Sequence, residues 1–363
     1  MSNFVISCGG TGGHLVPGIA IGEALIAKGH NVIFVISKKD IDSKIAEKYP
    51  RLEFVKVNSS PFSLNPIKAL KFLYNLYLGF LDAKTLIKFR DCKVAIAFGG
   101  FNSLPISLAS KFLKRHLVLH ESNMKVGKSI RVLGHIADKI YIPHGANINR
   151  KKNSIVKHAG YPIRKEIKRL DKTTSKEKFG FASYEKVLLV VGGSQGAVAL
   201  NKFVDSNIEK FKTDDISVLC VCGANYSNTD SIEYLGSDGK TRHIKKMVFC
   251  SDMASALSCC EVVIARSGAG SIAEFAKCKV PSILVPLPTS ADDHQKANAL
   301  KVERLGACIM LEQKNISKLY DETFNLFFNK NLKHIMKDNL TRIDEMNNIN
   351  DMLKEIEAIA QGK

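Results

Sequence analysis

No apolar run in this 363-residue sequence reaches the roughly 18–20 residues that cross a bilayer, so no transmembrane helix is expected. The chain enters an apolar stretch at Asn3 without the basic lead and cleavage site of a secretory signal, and none is expected. Nine cysteines occur without a CxxC pair or a disulfide-scaffold spacing, and Cys220/Cys222 and Cys259/Cys260 stand too close for the usual zinc arrangement. They read as small buried thiols of a reduced cytosolic protein. Repeats of solenoid period and Pro- or Gly/Ser-rich tracts are missing, which argues against arrays and disordered linkers. Neither glycine loop continues into Gly-Lys-Ser/Thr, which disfavours Walker-type nucleotide binding. No Asp-x-Asp is in a position to bridge a diphosphate and a divalent ion, so no metal and no cofactor are expected.

Negative charge is also scarce. The chain carries 53 Lys+Arg against 35 Asp+Glu, a formal net charge of +18. Residues 1–160 hold 24 of the cations and 9 of the carboxylates; the remainder, 29 and 26, is nearly balanced. A basic half beside a near-neutral half points to a polyanion, either nucleic acid or an anionic membrane. Without a recognisable binding fold or aromatic platform, nucleic acid is not expected as a partner.

What is present is a regular alternation. Apolar, β-branched runs at 3–8, 31–36, 52–57, 93–98, 116–120 and 139–142 form one series. Runs at 186–191, 216–222, 261–265, 281–286 and 307–311 form a second. Continuous apolar runs mark parallel strands buried on both faces, and strand–helix alternation gives an α/β doubly wound fold. A polar stretch from Lys165 to Ser183 separates the series, and each opens with a strand–glycine–helix unit. The expected architecture is two Rossmann-like domains with a cleft between them, at residues 1–161 and 162–340. A C-terminal helix over 341–363 follows, with Met346, Ile349, Leu353, Ile356 and Ile359 near one face.

GGTGGHLVPG (9–18) is read as a loop leading to a helix that starts near Pro17. Glycines let the backbone approach a ligand, and a helix N-terminus suits phosphate. The loop fails GxGxxG, so a dinucleotide is not implied. His14, at the end of the loop, is placed either as a general base or as a residue that caps the loop. Glu121 and Asn123 of HESN (120–123) lie at a strand's C-terminal end, where α/β sheets bind ligands. They serve there as base assistant and sugar ligand, or as loop caps. Ser267, Gly268, Gly270 and Ser271 make a small-residue turn, and Glu274 one turn further is set to chelate ribose hydroxyls or to face solvent. His294 and Gln295 are candidates for sugar hydroxyls, and Asp292/Asp293 for the N-cap of a helix.

In order, GGTGGHLVPG, GGFNSLP, HESN, GYPIR, GGSQGA, FCSDM, ARSGAGSIAE and DDHQKANA resemble the motifs of glycosyltransferase family 28, over about residues 3–310. Within it they resemble the enzymes that move N-acetylglucosamine from UDP-N-acetylglucosamine to lipid I, the undecaprenyl-diphosphate-linked muramyl pentapeptide. The resemblance implies a GT-B fold, with acceptor and membrane on the N-terminal domain and donor on the C-terminal one. It implies a peripheral place on the cytoplasmic face of the bacterial inner membrane. His14 would be the base, aided by Glu121. Thr11, Gly12, Gly13, Asn123, Arg164, Ser194, Cys250, Ala269, Gly270, Ser271, Ile272, Ala273, Glu274 and Gln295 would bind the donor. Phe101, Ser122 and Tyr161 depart from the family's usual Tyr, Gln and Asn. Alternatives are another GT-B UDP-sugar transferase with a lipid acceptor, against which the N-terminal motifs argue, and a non-catalytic sugar-nucleotide-binding subunit, against which His14 argues. The basic, apolar stretch Phe62 to Lys93 is expected to lie on an anionic membrane or to pack as a helix with a solvated basic face.

Overall fold

The computed structural model describes residues 1–9, 12–38, 42–43, 46–61, 65–148, 155–193, 196–224, 226 and 229–362. The chain forms two compact units, Met1–Arg164 with Met346–Lys363, and Lys165–Glu345.

In the first unit the described strands are β1 (Asn3–Ser7), β2 (Asn31–Ile36), β3 (Glu53–Lys56), β4 (Val94–Ala97), β5 (His116–His120), β6 (Lys139–Ile142) and β7 (Val156–His158). They form a parallel sheet in the order β3-β2-β1-β4-β5-β6-β7. Alternate residues of β1 feed two apolar layers. Phe4 and Ile6 pack with Leu15, Ile19 and Phe34 on one face, and Val5 packs with Ile33, Ala95 and Leu117 on the other. Burial on both faces is why these strands read as unbroken apolar runs.

The C-terminal segment is two helices, Lys330–Met346 and Asn350–Ala360, not the single one expected. Met346 ends the first and is exposed, whereas Met352, Leu353 and Ile356 of the second join the Phe4–Ile6 layer. Between them Asn347 lies against Gly160, where a Cβ would stand 2.2 Å from the Asn347 Cα. Polar ties add to this. Tyr141 Oη donates to Glu355 Oε2 at 2.7 Å, Lys157 pairs with Glu355, and His30 Nε2 and Lys28 meet Glu357. Burial pushes both carboxyls up, but these partners outweigh it and hold them below the ordinary value of 4.5. A depressed carboxyl contributes stability above its unfolded value, and the contribution fades as pH falls through about 4.5 toward the folded value. Glu355→Gln with Glu357→Gln is expected to cost about 1–2 kcal/mol at neutral pH. In hydrogen exchange the 350–360 amides should lose protection first. Unchanged protection would leave docking to the apolar residues alone.

The second unit contains β8 (Val187–Val191), β9 (Ser217–Val221), β10 (Asp230–Leu235), β11 (Thr241–Met247), β12 (Cys260–Ala265), β13 (Ser282–Leu284) and β14 (Cys308–Met310). Their order is β10-β11-β9-β8-β12-β13-β14, parallel except for the β10–β11 pair. The polar stretch after Lys165 is no bare linker. It contains the helix Lys172–Lys178, and Ile167, Ser175 and Phe181 are buried. All nine cysteines are buried free thiols.

Candidate active site

In the first unit, helix Gly12–Ala27 begins five residues before Pro17, so His14 sits in its first turn and not at the end of a loop. Close packing explains the early start: Leu15 is fully buried, and a Cβ on Gly18 would stand 2.3 Å from the Cys8 Cβ. Gly9 is equally constrained, its missing Cβ falling 2.4 Å from the Ser37 nitrogen and 2.6 Å from Asn102 Nδ2. Thr11 lies outside the described residues, while Gly12 and Gly13 open the helix.

His14 is half-buried against the turn of GGFNSLP. A Cβ built on Gly100 would lie 3.4 Å from His14 Nδ1. Gly99 and Gly100 both have positive φ, +92° and +73°, a shape that glycine adopts without strain. Gly100 N donates to Ser129 Oγ at 2.9 Å, and Ser103 Oγ donates to Gly99 O at 2.5 Å. Two motifs far apart in sequence thus meet at the imidazole. Phe101 is partly exposed beside them.

HESN follows β5. His120 is buried against Phe98, its Nε2 3.3 Å from Gly160 O, and burial pushes its ring down to about 4. Glu121 is buried, and both oxygens are engaged within the loop. Oε1 accepts from Asn123 N at 2.8 Å and Asn123 Nδ2 at 3.1 Å, and Oε2 accepts from Gly127 N at 2.7 Å. Burial raises this carboxyl above its ordinary value against the pull of those donors. The carboxylate shapes the 121–127 loop and sets the Asn123 amide. Ser122 is half-buried beside it, Tyr161 is buried and donates its N–H to Asn347 Oδ1 at 3.1 Å, and Arg164 is half-buried at the unit's end.

In the second unit the motifs gather at the C-terminal edge of the sheet. Gly192 and Gly196 are required: a Cβ on the first would stand 2.2 Å from Ala197 N, and on the second 2.1 Å from Cys222 O. Ser194 lies outside the described residues. Cys250 is buried in the loop after β11. Helix Ala269–Cys278 starts at Gly268 without a side-chain cap, and its first main-chain bond runs from Ile272 N to Gly268 O. The amides of Gly270 and Ser271 precede that bond, as at any helix start. Ile272 and Ala273 turn their side chains into the core and offer main chain only, whereas Ser271 and Glu274 are half-buried.

Gln295 ties the edge together. Its Oε1 accepts from Leu287 N at 3.0 Å, and its main-chain oxygen accepts from the buried Ser267 Oγ at 2.8 Å. Asn298 Nδ2 donates to Ser267 O at 3.1 Å. Asp293 stands at the N-cap position of helix His294–Arg304, but it has φ +54° and makes no capping bond, so the expected cap is corrected. With left-handed backbone at both Asp292 and Asp293, the cap geometry is not adopted. His294 Nδ1 instead meets Ala291 O at 2.8 Å. Arg266, not singled out from sequence, donates to Val285 O, Pro286 O and Gln313 Oε1 at 3.1, 3.2 and 2.7 Å and so fixes the 286–295 loop. Its only sequence signal was its place in ARSG. Among the described residues no group of three or more His, Cys, Asp or Glu is arranged to hold a metal ion.

Residues 4–142 match the glycosyltransferase family 28 N-terminal domain and residues 187–355 its C-terminal domain. A UDP-N-acetylglucosamine–N-acetylmuramyl-(pentapeptide) pyrophosphoryl-undecaprenol N-acetylglucosamine transferase of Opitutus terrae is 38% identical over 361 residues, 99% of this chain and 96% of that protein. Its namesake in Elusimicrobium minutum is 29% identical over 370 residues, covering 99% and 98%. The crystal structure of Acinetobacter baumannii MurG superposes with a TM-score of 0.71 at 20% identity, over 100% of both chains. The two α/β units are those of a GT-B glycosyltransferase.

Proposed function

Because this chain belongs to glycosyltransferase family 28, we propose that it transfers N-acetylglucosamine from UDP-N-acetylglucosamine to the 4-hydroxyl of the N-acetylmuramic acid of lipid I, giving lipid II for peptidoglycan synthesis. The observation that carries this reading is the near full-length match to the Opitutus terrae transferase. The site agrees with it: His14 stands in the first turn of a helix, walled by the Gly99–Gly100 turn.

In the reaction His14 removes the proton of the acceptor hydroxyl as that oxygen attacks the anomeric carbon. UDP departs from the opposite face, so an α-linked donor yields a β-linked product. Negative charge grows on the leaving diphosphate, and main-chain N–H groups of helix N-termini are preorganised to meet it. Gly270 and Ser271 supply such amides at the start of helix Ala269–Cys278, and Gly12 and Gly13 supply others at the start of helix Gly12–Ala27. Glu274 takes the ribose hydroxyls, Cys250 offers main chain to the uracil, and Gln295 reads the sugar with an amide whose oxygen is already fixed by Leu287 N. Asn123, oriented by Glu121, and Arg164 serve the donor from the first unit. Incubation with UDP-N-acetylglucosamine and a lipid I analogue should release UDP and form the disaccharide lipid. UDP release without that product would sink the acceptor assignment.

Glu274→Ala is expected to raise the donor KM more than it lowers kcat, by about tenfold, because ribose contacts are made equally in ground and transition states. Calorimetry with UDP checks it, and unchanged affinity would remove Glu274 from the site.

The membrane surface belongs to the same proposal. Asn65 caps helix Pro66–Phe89, its Oδ1 accepting from the Ile67 and Lys68 amides. Ile67, Leu70, Tyr74, Tyr77 and Leu81 recur at three- and four-residue steps on one face, and all are exposed, Ile67 by 79%. Gly79, Ala83 and Ile87 face the core from the opposite side. Lys68, Lys71, Lys84 and Lys88 are interspersed, and Phe112, also exposed, lies under Lys84 at 4.7 Å. Residues 62–64 lie outside the described residues, and no described helix is long and apolar enough to span a bilayer. An exposed apolar stripe flanked by lysines suits an interface of acyl chains and anionic headgroups, with about 1 kcal/mol per lysine. Co-sedimentation should rise with anionic lipid, fall with salt and drop about tenfold or more when Lys68, Lys71 and Lys84 become Glu. Binding blind to salt and lipid charge would remove the electrostatic part.

A further inference from the structure

A second cationic site lies in the second unit, on the sheet edge opposite the donor motifs. The loops that gather those motifs follow the C-terminal ends of β8, β12 and β13. On the other edge, where β12 begins at Cys260 and β13 at Ser282, is a small open pocket of about 30 Å³ lined by Arg169, Lys172, Lys279, Lys337 and Glu261, with Ser258 and Pro281. Four cations face one carboxylate. Lys172 pairs with Glu261. Arg169, Lys279 and Lys337 make no side-chain hydrogen bond or ion pair among the described residues. Lys176 and Lys333 stand behind them, committed to the carbonyls of Ser183 and Phe327 at 2.7 and 2.6 Å.

Helix ends do not account for these cations. Helices Met253–Cys259 and Ala269–Cys278 both end near the cavity, where lysines often serve the last carbonyls. Here Ala256 O already accepts from Cys259 Sγ, Leu257 O from Cys260 Sγ, Phe275 O from Val280 N and Ala276 O from Lys279 N. Lys279 moreover occupies a left-handed position, φ +54°, that glycine fills at lower cost. The grouping also carries an electrostatic cost. Burial lowers the Lys337 ammonium below its ordinary value, and Arg169 and Lys172 push it further while Glu261 opposes them. Lys333 is lowered in the same way, with Lys337 contributing. An anion relieves all of these at once.

We propose that this cavity binds a multivalent phosphate, distinct from the diphosphate of the sugar donor. Three uncommitted cations match a dianion or trianion, and the planar Arg169 guanidinium suits two phosphate oxygens. The test titrates inorganic pyrophosphate into the full-length protein by calorimetry with the nucleotide site saturated by UDP. Binding should persist under UDP and weaken about tenfold or more in Lys337→Glu. It should weaken by a smaller factor in Lys337→Gln, which carries the test if the glutamate variant does not fold. Neither change should alter UDP affinity. No binding under saturating UDP, or equal affinity in wild type and both variants, overturns the site. Co-sedimentation with phosphatidate vesicles, in a background with Lys68, Lys71 and Lys84 changed to Glu so that helix Pro66–Phe89 no longer contributes its cations, then distinguishes the source. A loss in Lys337→Glu there assigns the phosphate to a lipid head. Retained sedimentation beside a weakened pyrophosphate titration assigns it to a soluble anion.

Discussion

His14→Ala is expected to lower kcat by about 10²–10⁴-fold, the usual loss when a general base is removed, while UDP affinity and thermal stability stay near wild type. The stability half follows from position. His14 is half-buried in the first turn of its helix, and the deep packing of that turn is made by Leu15 and by the glycine contact at Gly18. The activity half follows from the surroundings. The ring lies against Gly100, whose peptide is held by Ser129 and whose left-handed backbone leaves no Cβ in the way. Single-turnover kinetics with saturating donor and acceptor check it. Wild-type turnover in the variant would return the proton to another group. The kcat–pH profile should also lose its acid limb, because an imidazole must be unprotonated to act as a base.

The strands legible in the sequence were those buried on both faces. β1, β4, β8 and β12 are continuous apolar runs because helices or loops cover each side. β11 was missed for the opposite reason. Its buried positions are Arg242, Ile244 and Lys246, and its cations are neutralised in place, Arg242 Nη1 by Asp238 at 2.7 Å and Lys246 by Asp205. No apolar pattern survives such pairing. β10 turns back on it as an edge strand, and β7 is three residues long. Boundaries failed where tertiary packing overrode local signals. Pro17 reads as a first-turn proline, yet the helix already starts at Gly12 because Leu15 and Gly18 dock on β1 and its end. For the site, the glycines were legible because backbone must pass there, and the structure shows what a side chain would strike at Gly9, Gly18, Gly192 and Gly196. The partners of Glu121 and Arg266 were not, because a side chain that braces a loop has the same letter as one that meets a ligand.

Glu121→Ala is expected to cost about 2–3 kcal/mol of stability and to lower kcat/KM by about 10–100-fold. Burial of the carboxyl carries a desolvation cost that raises its pKa, opposed by the amides of Asn123 and Gly127 and by the Asn123 side chain. Alanine removes the acceptor for all three and with it the contact that sets the Asn123 amide, the group proposed to meet the sugar donor. Glu121→Gln keeps the volume but points an NH2 at a donor, so it should recover only part of the stability. The distinguishing readout is the pH profile. A brace acts through geometry, so the pH dependence of kcat should keep the wild-type shape while its height falls with the thermal midpoint. A carboxylate that shares the proton with His14 would do the reverse, shifting the acid limb in Glu121→Gln with stability nearly intact. That result would move Glu121 from the loop's frame into the reaction itself.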